Sequence, residues 1–112
     1  MSMSDRSREF EAGYVQDETL RFRIRTRRNE LLGYWAAQKL EKSNIEGRAY
    51  AKELAEKHVN APGDDEIFAR IRADFDEAGV RQSDHQIRRT MSELMTKAEQ
   101  QVREGTDGTL DD

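Results

Sequence analysis

The residues best suited to chemistry are five arginines between positions 21 and 28. They are Arg21, Arg23, Arg25, Arg27 and Arg28, and their guanidinium groups match the geometry of phosphates and carboxylates. At about 100° per helical residue, Arg21, Arg25 and Arg28 share one side, whereas Arg23 and Arg27 lie near the opposite edge. The pattern allows a contact surface for phosphate or acidic groups. Most of these arginines are better explained as solvated side chains that pair with nearby acids while their stems cover the core.

Catalytic chemistry has no support in the sequence. Two histidines and no cysteine leave little for nucleophilic catalysis and nothing for a thiolate metal site. The chain contains no phosphate-binding loop, no G-x-G-x-x-G and no H-E-x-x-H motif. The acidic run Asp64-Asp65-Glu66 lacks the spacing of a calcium loop. We therefore expect no enzyme activity, no catalytic residues and no metal site.

The arginines lie on the longest of four predicted helices. The apolar face of this helix is wide enough to need more than one covering neighbour. It comprises Leu20, Ile24, Leu31 and Trp35, with Leu32, Ala36 and Leu40 beside them. Gly33 in the middle is less favourable than alanine by up to about 1 kcal/mol, which indicates that another helix approaches closely there. The predicted helices span about 17–41, 44–59, 64–78 and 84–104.

Local signals mark the ends of the later helices. Ser43 with Glu46, and Ser83 with Gln86, are capping-box pairs that open helices two and four. The run Ala61-Pro62-Gly63-Asp64 is expected to break the chain and cap helix three. The acids from Asp64 to Glu66 are expected to complement the positive N-terminus of this helix, and Gly79 is its expected C-cap. The predicted interior residues are Trp35, Ile24, Leu31, Leu54, Ile71, Phe75, Met91 and Leu94.

These elements predict an all-α protein, a four-helix bundle over residues 19–104. Residues 1–18 are mostly polar, with apolar content little beyond Phe10, Tyr14 and Val15. Because burying these few apolar side chains cannot offset the conformational entropy lost on ordering the segment, we expect a mobile N-terminal arm. This arm is expected to become helical against a partner. From Gly105 onward the Gly, Thr and Asp composition predicts a disordered acidic tail over 105–112.

Composition limits the classes of partner. Nineteen basic and twenty-three acidic residues give a net charge of −4, which disfavours a nucleic-acid binder. The sequence has no 18-residue apolar run and no apolar signal-peptide core. We expect a soluble, cytoplasmic protein without direct membrane insertion, and a monomer in isolation.

One resemblance covers nearly the whole chain. The run Arg-Arg-Asn-Glu-Leu-Leu-Gly-Tyr-Trp-Ala-Ala from Arg27 to Ala37 resembles the R-R-N-x-L-L-G-x-W-A-A signature of the zeta-type ATPase inhibitor subunits. These are small regulatory proteins of the F-type ATP synthase in α-proteobacteria. Further matches are Asp5-Arg6, Phe10-Glu11-Ala12, Tyr14, Asp17, Leu20-x-Phe22, Ala49-Tyr50-Ala51 and Pro62-Gly63-Asp64-Asp65-Glu66.

The resemblance implies an inhibitory subunit bound to the catalytic head of the ATP synthase. In such proteins the N-terminal arm enters the crevice between the α and β subunits and the γ shaft, blocks rotation and suppresses ATP hydrolysis. The implied location is cytoplasmic, peripheral to the inner face of the cell membrane. We expect Phe10 and Tyr14 to be apolar anchors. The expected polar contacts are Asp5, Arg6, Glu9, Glu11 and Asp17.

Departures from the family pattern fall in the arm and in helix two. Ser7 replaces the usual glutamate, Gly13 the usual lysine and Gln16 a common histidine, and Gly13 lowers helix propensity there. His58 stands where the family usually has aspartate.

The alternative from another class is a small nucleotide-responsive sensor or adaptor. Zeta-type proteins have been linked to a possible nucleotide site, and Arg21, Arg25 and Arg28 are candidate phosphate contacts. The sequence does not locate such a site. Any ADP or ATP binding is expected to be weak, because no phosphate-binding loop is present. An arginine-rich helix that binds nucleic acid is disfavoured by the acidic net charge and by the dispersal of the arginines.

Overall fold

The computed structural model describes residues 2–61 and 63–106, with side chains described from residue 18 onward. Over this part of the chain there are four α-helices and no strand, which confirms the all-α, four-helix prediction. The helices are α1 (Ser2–Lys39), α2 (Asn44–His58), α3 (Asp65–Ala78) and α4 (Asp84–Glu104).

The start of α1 differs from the sequence prediction. The helix begins at Ser2 instead of near Asp17, so the predicted arm and the arginine stretch form one helix of 38 residues. Extending an existing helix avoids the unfavourable nucleation step, which explains why a polar segment can continue it. At 1.5 Å per residue, α1 is about 57 Å long and α4 about 32 Å, so α1 extends beyond the helices that pack against it.

The predicted domain boundaries stay a prediction. Nothing in the helix limits divides an arm at 1–18 from a bundle at 19–104, because α1 runs through both. Of the predicted tail, Gly105 ends α4, and residues 107–112 lie outside the described residues.

The predicted caps are present at three helix ends. The side chain of Ser43 accepts from the Glu46 N–H, and that of Ser83 from the Gln86 N–H, each within a complete capping box. Gly79 ends α3 with a φ of 73°, in the left-handed region, where glycine carries no steric penalty.

The core lies where the second half of α1 meets the other three helices. Leu54, Ile71, Phe75 and Met91 are buried as predicted. Ile24, Leu31, Trp35 and Leu94 are only partly buried, which is less than predicted. Trp35 and Leu94 nevertheless pack against the core. On α1 the buried face is centred on Leu32 and Ala36, both fully inaccessible.

Gly33 sits at the closest crossing of α1 and α2. A Cβ built on Gly33 would lie 2.5 Å from the Cα of Ala51, well inside van der Waals contact. The predicted close helix approach is confirmed, and only glycine fits this position without moving a backbone. The crossing fixes how α2 lies along α1.

Candidate functional site

The predicted inhibitory residues all lie on the first part of α1. Their backbone is helical, which puts positions 10 and 14 about one turn apart. The residues concerned are Asp5, Arg6, Glu9, Phe10, Glu11, Tyr14 and Asp17. Their side chains lie outside the described part of the structure, so their contact roles stay predictions.

Arg25 binds the C-terminal end of α2. Its Nη1 donates to the carbonyl oxygens of Val59 (3.4 Å) and Ala61 (3.3 Å). Carbonyls at a helix C-terminus lack partners within the helix and carry partial negative charge. Arg25 therefore fastens α2 to α1 with a cation placed where the helix dipole favours one.

Arg28 and Asn29 are buried polar residues on α1. The Arg28 side chain is 2% exposed, and its Nε donates to Asn29 Oδ1 at 2.8 Å while its Nη2 donates to Asp64 Oδ1 at 2.8 Å. The Arg28 guanidinium holds the pKa of the Asp64 carboxyl below its ordinary range, mainly through this hydrogen bond. The Asn29 Nδ2 has no partner among the described protein groups. The sequence prediction that the arginines are mostly solvated is wrong for Arg28.

Each acid at the start of α3 meets a basic side chain from a different helix. Asp64 pairs with Arg28 of α1 and Asp65 with Arg88 of α4 (3.3 Å). Glu66 Oε1 lies 3.3 Å from Nδ1 of His58 at the end of α2, but the two atoms do not form a hydrogen bond. Asp64 occupies the N-cap position but makes no side-chain cap bond, which corrects the expectation that it caps α3. These three contacts connect the other helices to α3.

These contacts bear on the predicted nucleotide residues Arg21, Arg25 and Arg28. Arg28 is enclosed by protein groups, and Arg25 donates to backbone carbonyls. A phosphate would have to displace the partners of the buried Arg28, and it would compete with the Val59 and Ala61 carbonyls for Nη1 of Arg25. Nucleotide contact at the three arginines stays a prediction.

A second polar network links α2 to α3. Tyr50 Oη donates to Asp74 Oδ2 at 2.6 Å, and Arg70 binds Asp74 and Glu53, both at 2.7 Å. Burial and the Asp74 hydrogen bond raise the pKa of the Tyr50 hydroxyl, while the Arg70 guanidinium lowers the pKa of Glu53. The Lys42 ammonium and the Arg70 guanidinium lie 5.3 and 5.2 Å from the Tyr50 ring centroid, within cation–π range.

A groove on the outer side of α1 and α2 exposes two aromatic residues. Phe22 is 50% and Tyr34 45% exposed, and both line a cavity of about 400 Å³. The floor between them is formed by small and apolar residues of α2, Ala51, Ala55 and Val59. We call this surface the α1–α2 groove.

Other site types find no support in the described part of the chain. No group of three or more His, Cys, Asp or Glu side chains there is arranged to hold a metal ion. Among the same residues, no helix has the length and apolar character needed to cross a membrane.

Sequence reasoning missed the buried Arg28–Asn29 pair, the Tyr50–Asp74–Arg70 network and the α1–α2 groove. The pair and the network depend on contacts between helices that spacing along one helix does not reveal. Phe22 and Tyr34 lie outside the apolar face of helix one, and that placement is the one signal that could have identified the groove.

Comparison with known proteins gives one match. A family model described as "ATPase inhibitor subunit zeta" matches residues 1–101. No curated protein and no solved structure matches the chain.

Proposed function

The chain belongs to the ATPase inhibitor subunit zeta family, and from this premise we propose that it inhibits the F-type ATP synthase by inserting its N-terminal helix into the catalytic head. Membership makes the protein an ATPase inhibitor, and therefore a regulatory protein that acts on ATP synthase. The finer proposal is that residues 1–18 enter the crevice between the α and β subunits and the γ shaft. A wedge at that place blocks rotation and suppresses ATP hydrolysis.

The observation that supports this mechanism best is the continuity of α1. The helix begins at Ser2, and its second half is fixed in the core by Leu32, Ala36 and the Gly33 crossing. A single helix couples whatever its first half binds to the bundle, because a sharp kink would interrupt its backbone hydrogen bonds. The first half can therefore resist a rotating shaft when the bundle rests against the head.

The arm residues divide into apolar anchors and polar contacts. Phe10 and Tyr14 supply the apolar area that a helix needs to hold a groove. Charged residues around them set orientation and association rate more than affinity. We further propose that the protein acts at the cytoplasmic face of the membrane, where the catalytic head is located.

The test is inhibition of the cognate ATPase by an arm variant. Phe10→Ala combined with Tyr14→Ala should weaken inhibition by about 4 kcal/mol in total, since aromatic anchors commonly contribute about 2 kcal/mol or more each. Thermal unfolding should be unchanged.

Charge variants of the arm provide the matched control. Glu9→Gln combined with Glu11→Gln should weaken inhibition less, and the loss should shrink as salt is raised. If the aromatic variant inhibits as well as the wild type, the proposed arm mechanism is wrong.

A further inference from the structure

The α1–α2 groove has the form of a docking site for a helix. Its two half-exposed aromatics, Phe22 and Tyr34, lie twelve residues apart on α1, which is about 18 Å or three helical turns. The floor between them is low because Gly33 lets α2 approach α1 closely at Ala51, and the floor consists of the small and apolar residues Ala51, Ala55 and Val59. A long, shallow apolar trough with an aromatic residue at each end suits the apolar face of an amphipathic helix.

The charges along the α2 edge of the groove indicate what that helix carries. Arg48 and Lys52 lie one turn apart on this edge, and neither takes part in an ion pair among the described side chains. Lys42 continues the basic edge beyond Tyr34, in an adjoining cavity that Tyr34 and Arg48 also line. On the opposite edge, Glu30 is already paired with Arg27. Glu56, nearer the Phe22 end, is the one acid on the basic edge.

We propose that the α1–α2 groove binds an amphipathic helix of the ATP synthase catalytic head, about three turns long and with acidic residues facing Arg48 and Lys52. The groove begins at Phe22, four residues beyond the predicted end of the inhibitory arm. When the catalytic head binds the arm, the groove is therefore the next surface along α1 that the head can contact. This inference rests on the proposed function and adds a second contact that holds the bundle in place.

Two groove variants of the full-length chain test the surface. Phe22→Ala with Tyr34→Ala removes the aromatic ends, and Arg48→Glu with Lys52→Glu reverses the basic edge. The matched control is Arg81→Glu with Lys97→Glu, which makes the same change in net charge at exposed positions outside the groove. Thermal unfolding of all three variants establishes that they are folded.

Affinity for the isolated catalytic head is the quantity to measure. Each groove variant should bind about tenfold more weakly than the wild type or worse, and the control should stay within about threefold. The loss in the charge variant should shrink as salt is raised. Maximal inhibition at saturating protein should be unchanged in every variant, because the arm is unaltered.

Site-directed cross-linking identifies the occupant. The chain contains no cysteine, so a thiol-reactive photo-cross-linker will label Lys52→Cys at that single position. Lys97→Cys, labelled in the same way, serves as the control. The expected product joins Lys52→Cys to an acidic helical segment of the α, β or γ subunit.

These measurements distinguish a failure of the groove proposal from a failure of the proposed inhibitory function. A wild type that binds the head, with groove variants that bind as well as the control, overturns this proposal and leaves the arm mechanism standing. Cross-linking to a second copy of this chain, or no more product than at the control position, also overturns it. A wild type that does not bind the head removes the proposed function together with this inference.

Discussion

The first and second halves of α1 belong to one continuous helix but differ in what they offer a hydrophobic core. Residues 28–37 include six that are buried in the protein, among them Leu32 and Ala36 with no exposed surface. Residues 2–17 include little more than Phe10, Tyr14 and Val15 as apolar side chains apart from Met3. Burial stabilises the second half by about 25 cal/mol per Å² of apolar surface, whereas the first half has few groups to bury without a partner.

Forming a helix and anchoring it in a core are therefore separate properties of this chain. Helix propensity and continuity extend α1 to Ser2, while among the described side chains packing fixes the part of α1 that meets α2, α3 and α4. A regulatory protein can use this division, because the unanchored half remains available for a partner.

The largest expected change in stability distinguishes the variants of two adjacent leucines on α1. Leu32→Ala should lower the free energy of unfolding by about 3–5 kcal/mol, because Leu32 is fully buried and its loss leaves a cavity. Leu31→Ala should lower it by about 1 kcal/mol, since Leu31 is only partly buried. Denaturant unfolding measures both. Equal losses would show that the buried face of α1 is centred elsewhere.

The next largest loss of stability is expected when the buried Arg28 loses its acidic partner. Asp64→Asn should lower stability by about 2 kcal/mol near neutral pH, because Arg28 loses a charged hydrogen-bond partner while it stays buried.

This effect has a defined pH dependence. Since the folded-state pKa of Asp64 is lowered, its contribution is present above the ordinary aspartate pKa and is lost as pH falls through the lowered value. The stabilities of the wild type and the variant should therefore converge in acid. A difference that is constant with pH would contradict the ion pair.

A smaller effect tests the helix crossing that anchors α1 to α2. Gly33→Ala should lower the melting temperature, with a net cost of about 1 kcal/mol, because overpacking against the Ala51 backbone exceeds the gain in helix propensity. Gly47→Ala is the control, since its added Cβ meets only the Ala37 Cβ, at 3.3 Å. A Gly33→Ala variant that is more stable than the wild type would show that the helices separate easily.

The smallest expected effect concerns nucleotide. Because Arg25 and Arg28 already bind protein groups, ATP should change backbone amide shifts only weakly, near the basic residues of α1. A titration to millimolar ATP followed by amide NMR measures this. Tight binding at these arginines would mean that their present contacts open, and no shift at all would remove the sensor hypothesis.

Much of the fold could be predicted from the sequence, because the signals are local. Helices two to four were predicted to within about one residue, consistent with capping pairs and C-terminal glycines that act over a single turn. Gly33 indicated the close crossing because glycine is costly inside a helix. The rotation of α1 was predicted less well, since Leu31–Trp35 and Leu32–Ala36 form adjacent apolar sectors. The packing of the other three helices decides between them.

The candidate site could be predicted only in part. Arg28 resembles the other arginines in the sequence, and only the approach of Asp64 from another helix explains its burial. The Tyr50–Asp74 hydrogen bond likewise depends on how α2 packs on α3. The arm residues were identified through family resemblance, and their proposed contacts are with a separate protein.

The central claim is that residues 1–18 inhibit and the bundle anchors. The most direct measurement compares the ATPase dose–response of the full chain with that of a chain truncated to residues 19–112, alongside a thermal unfolding curve for each. The account predicts that the truncated chain unfolds cooperatively near the full-length melting temperature and no longer inhibits the enzyme. A folded truncated chain that inhibits as well as the full chain would contradict the claim and place the inhibitory surface on the bundle.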